Sequence, residues 1–265
     1  MGGIILRGCI GRDTFEGRVM TMKPDTSRRS FLRLGMLAAA LPLAKAGPAL
    51  AQAGGGKLKI GIIGSGKLGG AVGGRWVKAG HEVFFSSRHP ETLKGLVDSL
   101  GPRARAGTVA EAIAFGDVIL VAVPYSGLPQ IGRDNAKALA GKIVLDACNP
   151  IPARDGEVAK EAISAGIGQT SMKYLPGARL VRAFNPVGYR NFEGEATASA
   201  GEKVGMPIAG DDKEAVAVAS RLARDAGVEP VVVPLAKASA FAPGTPLFGK
   251  PVPVSELRKQ LGVAQ

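Results

Sequence analysis

Lys57-Leu58-Lys59-Ile60-Gly61-Ile62-Ile63-Gly64-Ser65-Gly66-Lys67-Leu68-Gly69 is the stretch that decides the fold. Its first half is an apolar, β-branched run of the kind a buried strand needs, and it stops at glycines. Beyond them Leu68, Val72, Trp76 and Val77 recur at helical spacing until Gly80. The segment therefore reads as strand, tight turn and helix. At that junction Gly64 to Gly69 spells G-x-G-x-x-G. In this context Gly64 permits the turn, Gly66 lets the backbone approach a pyrophosphate, and Gly69 lets the helix close on the strand. Phosphates would rest on the helix N-terminus, where unpaired N–H groups and the helix dipole favour anions. Gly64, Ser65, Gly66, Lys67, Leu68 and Gly69 are accordingly the first candidate cofactor-binding residues.

Outward from this unit the pattern repeats. Glu82 to Ser86 reads as a second strand, Pro90 to Leu100 as a helix, and Asp117 to Val123 as a strand buried on both faces. Lys142 to Asp146 and Arg179 to Phe184 continue the strands, with helices expected at 127–140 and 157–174. Alternating strands and helices specify an α/β fold, a Rossmann-type doubly wound parallel sheet. After Phe184 the character changes. Residues 185–200 are turn-rich, then Val204–Ala209, Asp211–Ala226 and Val231–Val233 read as strand, helix and strand, followed by a Pro/Gly-rich tail and a helix near Val254–Leu261. The expected organisation is a leader at 1–56, a Rossmann domain at 57–185, and a small C-terminal α/β extension, a cap and tail, at 186–265.

The end of the second strand sets cofactor preference. An NAD-binding site usually places an acid there for the ribose 2′-hydroxyl, but this chain has Ser86-Ser87-Arg88-His89. Ser87 and Arg88 would hold a 2′-phosphate through charge-assisted hydrogen bonds, so NADP(H) is favoured over NAD(H). Two further strand ends face the same crevice: Val121-Ala122-Val123-Pro124-Tyr125, with Val123 and Pro124 as wall residues, and Asp146-Ala147-Cys148-Asn149-Pro150, where Asn149 could orient the nicotinamide half. A third, Val181 to Asn185, would lie beside the nicotinamide.

The formal net charge is +12, of which residues 1–51 supply +5 through eight Lys/Arg against three acids. The remaining excess is spread along the chain without aromatic interleaving, which argues against a nucleic-acid partner and for a small polyanion. Of the two cysteines, Cys9 falls in the leader, so no internal disulfide is expected in the mature protein, and Cys148 reads as a small hydrophobe. No Cys/His cluster has metal-ligand spacing.

Ser27-Arg28-Arg29-Ser30-Phe31-Leu32-Arg33, an apolar stretch from Leu34 to Ala44 and then Ala49-Leu50-Ala51 read in that order as a twin-arginine export signal with its cleavage site. The apolar stretch is about eleven residues against the roughly twenty that span a bilayer, so no stable membrane span is expected. Met20 or Met22 is a fitting initiator, which leaves residues 1–21 outside the translated protein. The translocase is then a partner, and the location is the periplasm or beyond, or the cytoplasm if the motif is not a signal.

Lys59–Gly69, Ser87-Arg88, Val121–Pro124, Leu145–Pro150, Ala183-Phe184-Asn185 and Pro207–Asp211 together resemble the coenzyme-F420-dependent NADP oxidoreductase family. Its fold recurs in the cytosolic domain of the six-transmembrane metalloreductases. The resemblance covers about residues 57–249. It implies NADP contacts from Ser65, Gly66, Lys67 and Leu68, the 2′-phosphate at Ser87 and Arg88, and further contacts from Asn149 and Ala183. It also implies hydride transfer to a small redox acceptor, a deazaflavin, flavin or metal chelate. The export signal departs from the family, whose members work in the cytosol, and would require the cofactor to travel inside the folded protein.

Hydride transfer needs ring alignment and exclusion of water more than a protein acid or base. No catalytic residue is assigned, since neither His81 nor Tyr125 has an evident partner in the sequence. Two alternatives stand beside this reading. One is an exported NADP-binding or sensing module without turnover. The other is an imine or pyrroline-carboxylate reductase, which predicts a long helical dimerisation domain after Phe184. A homodimer is compatible with any of them.

Overall fold

The structure, a computed structural model, describes residues 56–194 and 201–264. The twin-arginine motif, its apolar stretch and the Ala49-Leu50-Ala51 site lie outside the described residues.

Strand β1 (Lys59–Ile63) passes through the glycine turn into α1 (Lys67–Lys78) and returns as β2 (Glu82–Ser86). A 3-10 turn at Pro90–Leu93 and α2 (Lys94–Leu100) lead to β3 (Ala104–Gly107), α3 (Val109–Phe115) and β4 (Val118–Val121). Then come α4 (Leu128–Leu139), β5 (Ile143–Asp146), α5 (Pro152–Ala165), α6 (Ile167–Tyr174) and β6 (Arg179–Arg182). The chain continues through α7 (Arg190–Glu193), β7 (Gly205–Ala209), α8 (Lys213–Asp225), β8 (Glu229–Val233), a 3-10 segment at Leu235–Phe241 and α9 (Val254–Leu261).

All eight strands form one sheet in the order β3-β2-β1-β4-β5-β6-β7-β8. The first six are parallel, β7 runs antiparallel to β6, and β8 pairs parallel with β7. The chain leaves β1 toward β2 on one side and reaches β4 on the other. Their following turns diverge at this switch point and open a crevice above the carboxyl ends of β1 and β4.

Each face of the sheet carries its own core, because successive strand side chains point to opposite faces. On one, Ile60, Ile62 and Phe85 pack with Val72 and Trp76 of α1 and Ala219 and Leu222 of α8. On the other, Ile63, Ile119 and Val144 meet Ile113 of α3, Leu128 of α4 and Leu257 of α9. Strands β4 and β5 are buried at every residue, as strands covered on both faces must be. The buried Trp76 indole donates to the Leu222 carbonyl at 2.8 Å, tying α1 to α8.

Three features differ from the sequence expectation. The helix expected over 157–174 is two helices, broken where Gly166 takes φ 93. Strand β3 and helix α3 went unread. The residues after Phe184 are neither a separate cap nor a long helical domain: β7 and β8 extend the same sheet, and Met206 and Ile208 join the core built on β1.

Asp212 locks this extension to the Rossmann part. Its carboxylate caps α8 through the Ala215 N–H at 2.9 Å and receives two 2.7 Å hydrogen bonds from Arg179 at the start of β6. Those bonds from Arg179 hold the carboxyl at about 2, against an ordinary 3.8. Asp212→Ala is expected to lower the unfolding free energy by about 1 kcal/mol at neutral pH. Because the folded-state pKa is depressed, this contribution is complete above the ordinary value of 3.8 and is lost as pH falls through about 2. Denaturant titrations of both proteins at neutral and strongly acid pH check it: the gap between them should close in acid.

Candidate functional site

The glycine turn is held by the end of β2. The N–H groups of Gly64 and Ser65 both donate to the Ser86 carbonyl, at 3.1 and 3.0 Å, and the Ser86 hydroxyl donates to the Ile62 carbonyl at 2.7 Å. Gly64 sits at φ 97, and a Cβ there would lie 2.5 Å from the Ala122 carbonyl oxygen. At Gly69 a Cβ would come within 2.2 Å of the Gly64 carbonyl oxygen, whereas at Gly66 it would meet nothing within 4 Å. Two glycines thus permit close packing, and the third leaves open space at the mouth of the crevice. Gly66 is also the N-cap of α1 and supplies no side-chain cap, so the first-turn N–H groups of Lys67 and Leu68 have no side-chain partner.

A cavity of about 760 Å³ runs from this turn along the end of β2. Gly64, Ser65, Gly66, Ser87, Arg88, Val123 and Pro124 all line it. A second cavity of about 240 Å³ adjoins at the shared residues Val123 and Pro124, and there Leu68 and Asn149 join them. Lys67 lines neither, and its ammonium stands 5.4 Å from the centroid of the Tyr189 ring. Gly69 is buried in the turn's packing. Ala183 departs from expectation. It is fully buried in the core beside β6 and lines neither cavity, because the parallel sheet points its methyl group into the layer under α1 and α8.

Residues not singled out from the sequence complete the walls. Leu93, Val109 and Ile131 give the larger cavity apolar faces, with Thr92, Gln130 and Asp134 at its polar edge. Ile151 and Arg154 border the smaller one. Signals for them were weak, since each lies in the first or middle turn of a helix where an ordinary amphipathic pattern accounts for it. Asp155 is buried beneath them and accepts from the Ser126 N–H and hydroxyl, the Ile151 N–H and Arg154. Burial alone would raise its pKa, but these bonds outweigh it and hold the carboxyl at about 2.

The electrostatics at the β2 end match an anion. Arg88 is exposed, and among the described residues no carboxylate pairs with it. Glu91 pairs instead with His89 at 3.3 Å. Asp134 lies on the α4 wall and accepts from Gln130 at 2.6 Å. Two polar atoms at the crevice are shielded from solvent without a partner among the described residues, the Ser65 hydroxyl and the Asn149 amide oxygen. Open space at Gly66, uncapped N–H groups and these orphan atoms all fit a bound dinucleotide.

His81 and Tyr125 have partners after all, and both are structural. His81 accepts from the Leu58 N–H and bonds Asp225 at 2.9 Å at the opposite end of β2, and desolvation lowers its pKa. The buried Tyr125 hydroxyl bonds Ser171 at 3.0 Å, and burial raises its pKa. Burial likewise pushes the Cys148 thiol well up, as suits a small hydrophobe. Among the described residues there is no cluster of His, Cys, Asp and Glu able to hold a metal, and no helix long and apolar enough to cross a membrane.

Fold and crevice define a Rossmann-type nucleotide-binding protein. Residues 59–150 match the family described as NADP oxidoreductase, coenzyme F420-dependent. Metalloreductase STEAP3 of Rattus norvegicus is 33% identical over 183 residues, 65% of this chain and 33% of the relative, so the chain spans about a third of that protein's length. Among solved structures, a hypothetical protein of Sinorhizobium meliloti is similar at 25% identity with a TM-score of 0.63, over 74% of this chain and 95% of that one. A pyrroline-5-carboxylate reductase of Coxiella burnetii is similar in fold alone, at 14% identity and a TM-score of 0.53, over 71% of this chain and 65% of that one. The chain carries a domain of the F420-dependent NADP oxidoreductase family, a family of NADP-dependent oxidoreductases.

The glycine geometry makes a paired prediction. Gly69→Ala should cost about 2 kcal/mol through overlap with the Gly64 carbonyl, while Gly66→Ala should stay within about 0.5 kcal/mol of the parent. Denaturant unfolding of the two variants side by side measures the contrast.

Proposed function

We propose that this protein is an NADPH-dependent oxidoreductase that passes hydride between NADP(H) and a small planar acceptor of the flavin, deazaflavin or metal-chelate class. The observation that carries the reading is the pairing of an uncapped, open helix N-terminus at Gly66 with a second strand that ends in Ser87-Arg88 and no acid. The Lys67 and Leu68 N–H groups would receive the pyrophosphate, and Ser87 and Arg88 the 2′-phosphate. When bound, the nicotinamide supplies or accepts the hydride. Val123 and Pro124 form a wall shared by both cavities and would exclude water from one side of that end. The unpaired Asn149 oxygen offers an acceptor for a donor on the nicotinamide half. No side chain in the smaller cavity is arranged as an acid–base pair, in keeping with chemistry driven by alignment.

The second reading, a module that holds NADP without turnover, is separated by experiment. Fluorescence of protein-bound NADPH should decay when a flavin, a deazaflavin or a ferric chelate is added under anaerobic conditions. A signal stable to all three favours the binding module. From the sequence signal we also propose export by the twin-arginine route, with the cofactor carried inside the folded protein. Mass spectrometry of ligand released from the exported protein tests this, and NADP is the expected species.

Arg88→Asp is expected to weaken NADP⁺ binding by about ten- to a hundredfold, from the loss of a charge-assisted contact and the new repulsion. NAD⁺ binding should change little or improve. Calorimetric titration of both dinucleotides gives the ratio.

A further inference from the structure

Behind the smaller cavity lies a buried charge pair that the proposed chemistry leaves unused. Asp146 and Arg182 stand opposite each other in register at the ends of β5 and β6. Both side chains are 0% exposed, and they meet at 2.5 Å. A buried ion pair adds little net stability over apolar residues of similar size, so stability does not explain it. Its hydrogen bonds do point to a task, because nearly all of them end on one turn. Asp146 accepts the Cys148 N–H at 2.8 Å, and Arg182 donates to the Cys148 carbonyl at 2.8 Å. Asn185 donates to the carbonyls of Asp146 and Cys148, at 3.0 and 3.1 Å. It is presented by Phe184, a buried non-glycine residue at φ 65, a conformation that persists only where packing enforces it. The Trp76 ring packs on Phe184 edge-on at 5.5 Å.

The turn so clamped carries Asn149. The Asn185 carbonyl can only accept, so it takes the Asn149 amide nitrogen, at 2.8 Å, and that fixes which way the amide lies. Arg154 holds the Asn149 carbonyl at 2.8 Å. What remains is the one unpartnered Asn149 oxygen in a residue lining the smaller cavity.

We infer that Asp146, Arg182 and Asn185 are positioning residues. They lock the Ala147–Pro150 turn so that the Asn149 amide oxygen is preset to read the nicotinamide half of the cofactor, with no part in holding the adenosine half. The inference rests on the NADP reading of the crevice.

The test compares calorimetric dissociation constants for 2′,5′-ADP, which probes the β2 end alone, and for NADP⁺. Asp146→Leu combined with Arg182→Met replaces the pair by apolar chains. Asn185→Ala loosens the same turn without touching a charge, and decides the matter if the double variant does not fold. Both are expected to bind 2′,5′-ADP within about twofold of the parent and NADP⁺ about tenfold more weakly, the effect of one misplaced buried hydrogen bond. Equal losses for both ligands would mean a general structural role, and unchanged NADP⁺ affinity would mean none at the site; either overturns the inference. A parent protein that binds neither ligand instead removes the NADP reading itself, and this proposal with it.

Discussion

Everything functional in this fold depends on how closely α1 approaches the sheet at its first turn. With Gly64 against the Ala122 carbonyl and Gly69 against the Gly64 carbonyl, the helix begins directly over the carboxyl end of β1. Its uncapped N–H groups therefore open onto the crevice between β1 and β4. A side chain at either glycine would push the helix away, and the field of its N-terminus falls off within about one turn. Packing and anion affinity are thus one constraint seen from two sides. The Ser86 carbonyl extends it to β2, since the backbone that anchors the glycine turn belongs to the strand whose end carries Ser87 and Arg88.

The same arrangement explains which parts could be read from the sequence. The β1–turn–α1 unit is legible because steric demand leaves only glycine at fixed positions, and β4 and β5 because strands buried on both faces become continuous apolar runs. Strand β3 escaped notice: Ala104-Arg105-Ala106-Gly107 has no β-branched residue, and it is an edge strand held by β2 rather than by its own propensity. Helix α3 was announced by a capping box, Thr108 with Glu111, whose two reciprocal hydrogen bonds are present, but Thr-x-x-Glu is too common to stand out. Ala183 was misplaced because a strand end identifies a neighbourhood and not the face on which a side chain lies.

Most of the crevice's near wall followed from the glycine motif, whereas its far wall did not. Gln130, Ile131 and Asp134 are brought over by α4, and nothing local in their sequence marks them. The Asp146–Arg182 pair was hidden for a different reason. Each residue closes an apolar strand, where a charge ordinarily signals the way out to solvent, and only the register of β5 with β6 sets the two face to face in the interior. The joining of β7 and β8 to the same sheet depends likewise on long-range pairing that periodicity cannot express.

The central claim is electrostatic: a crevice with an open helix N-terminus and an arginine at the ribose end selects the dinucleotide with the extra phosphate. Isothermal titration of the unmodified protein with NADP⁺ and with NAD⁺, at two salt concentrations, tests it most directly. The account predicts NADP⁺ binding at least about tenfold tighter, with the advantage shrinking as salt rises. Equal affinities, or a preference for NAD⁺, would contradict it.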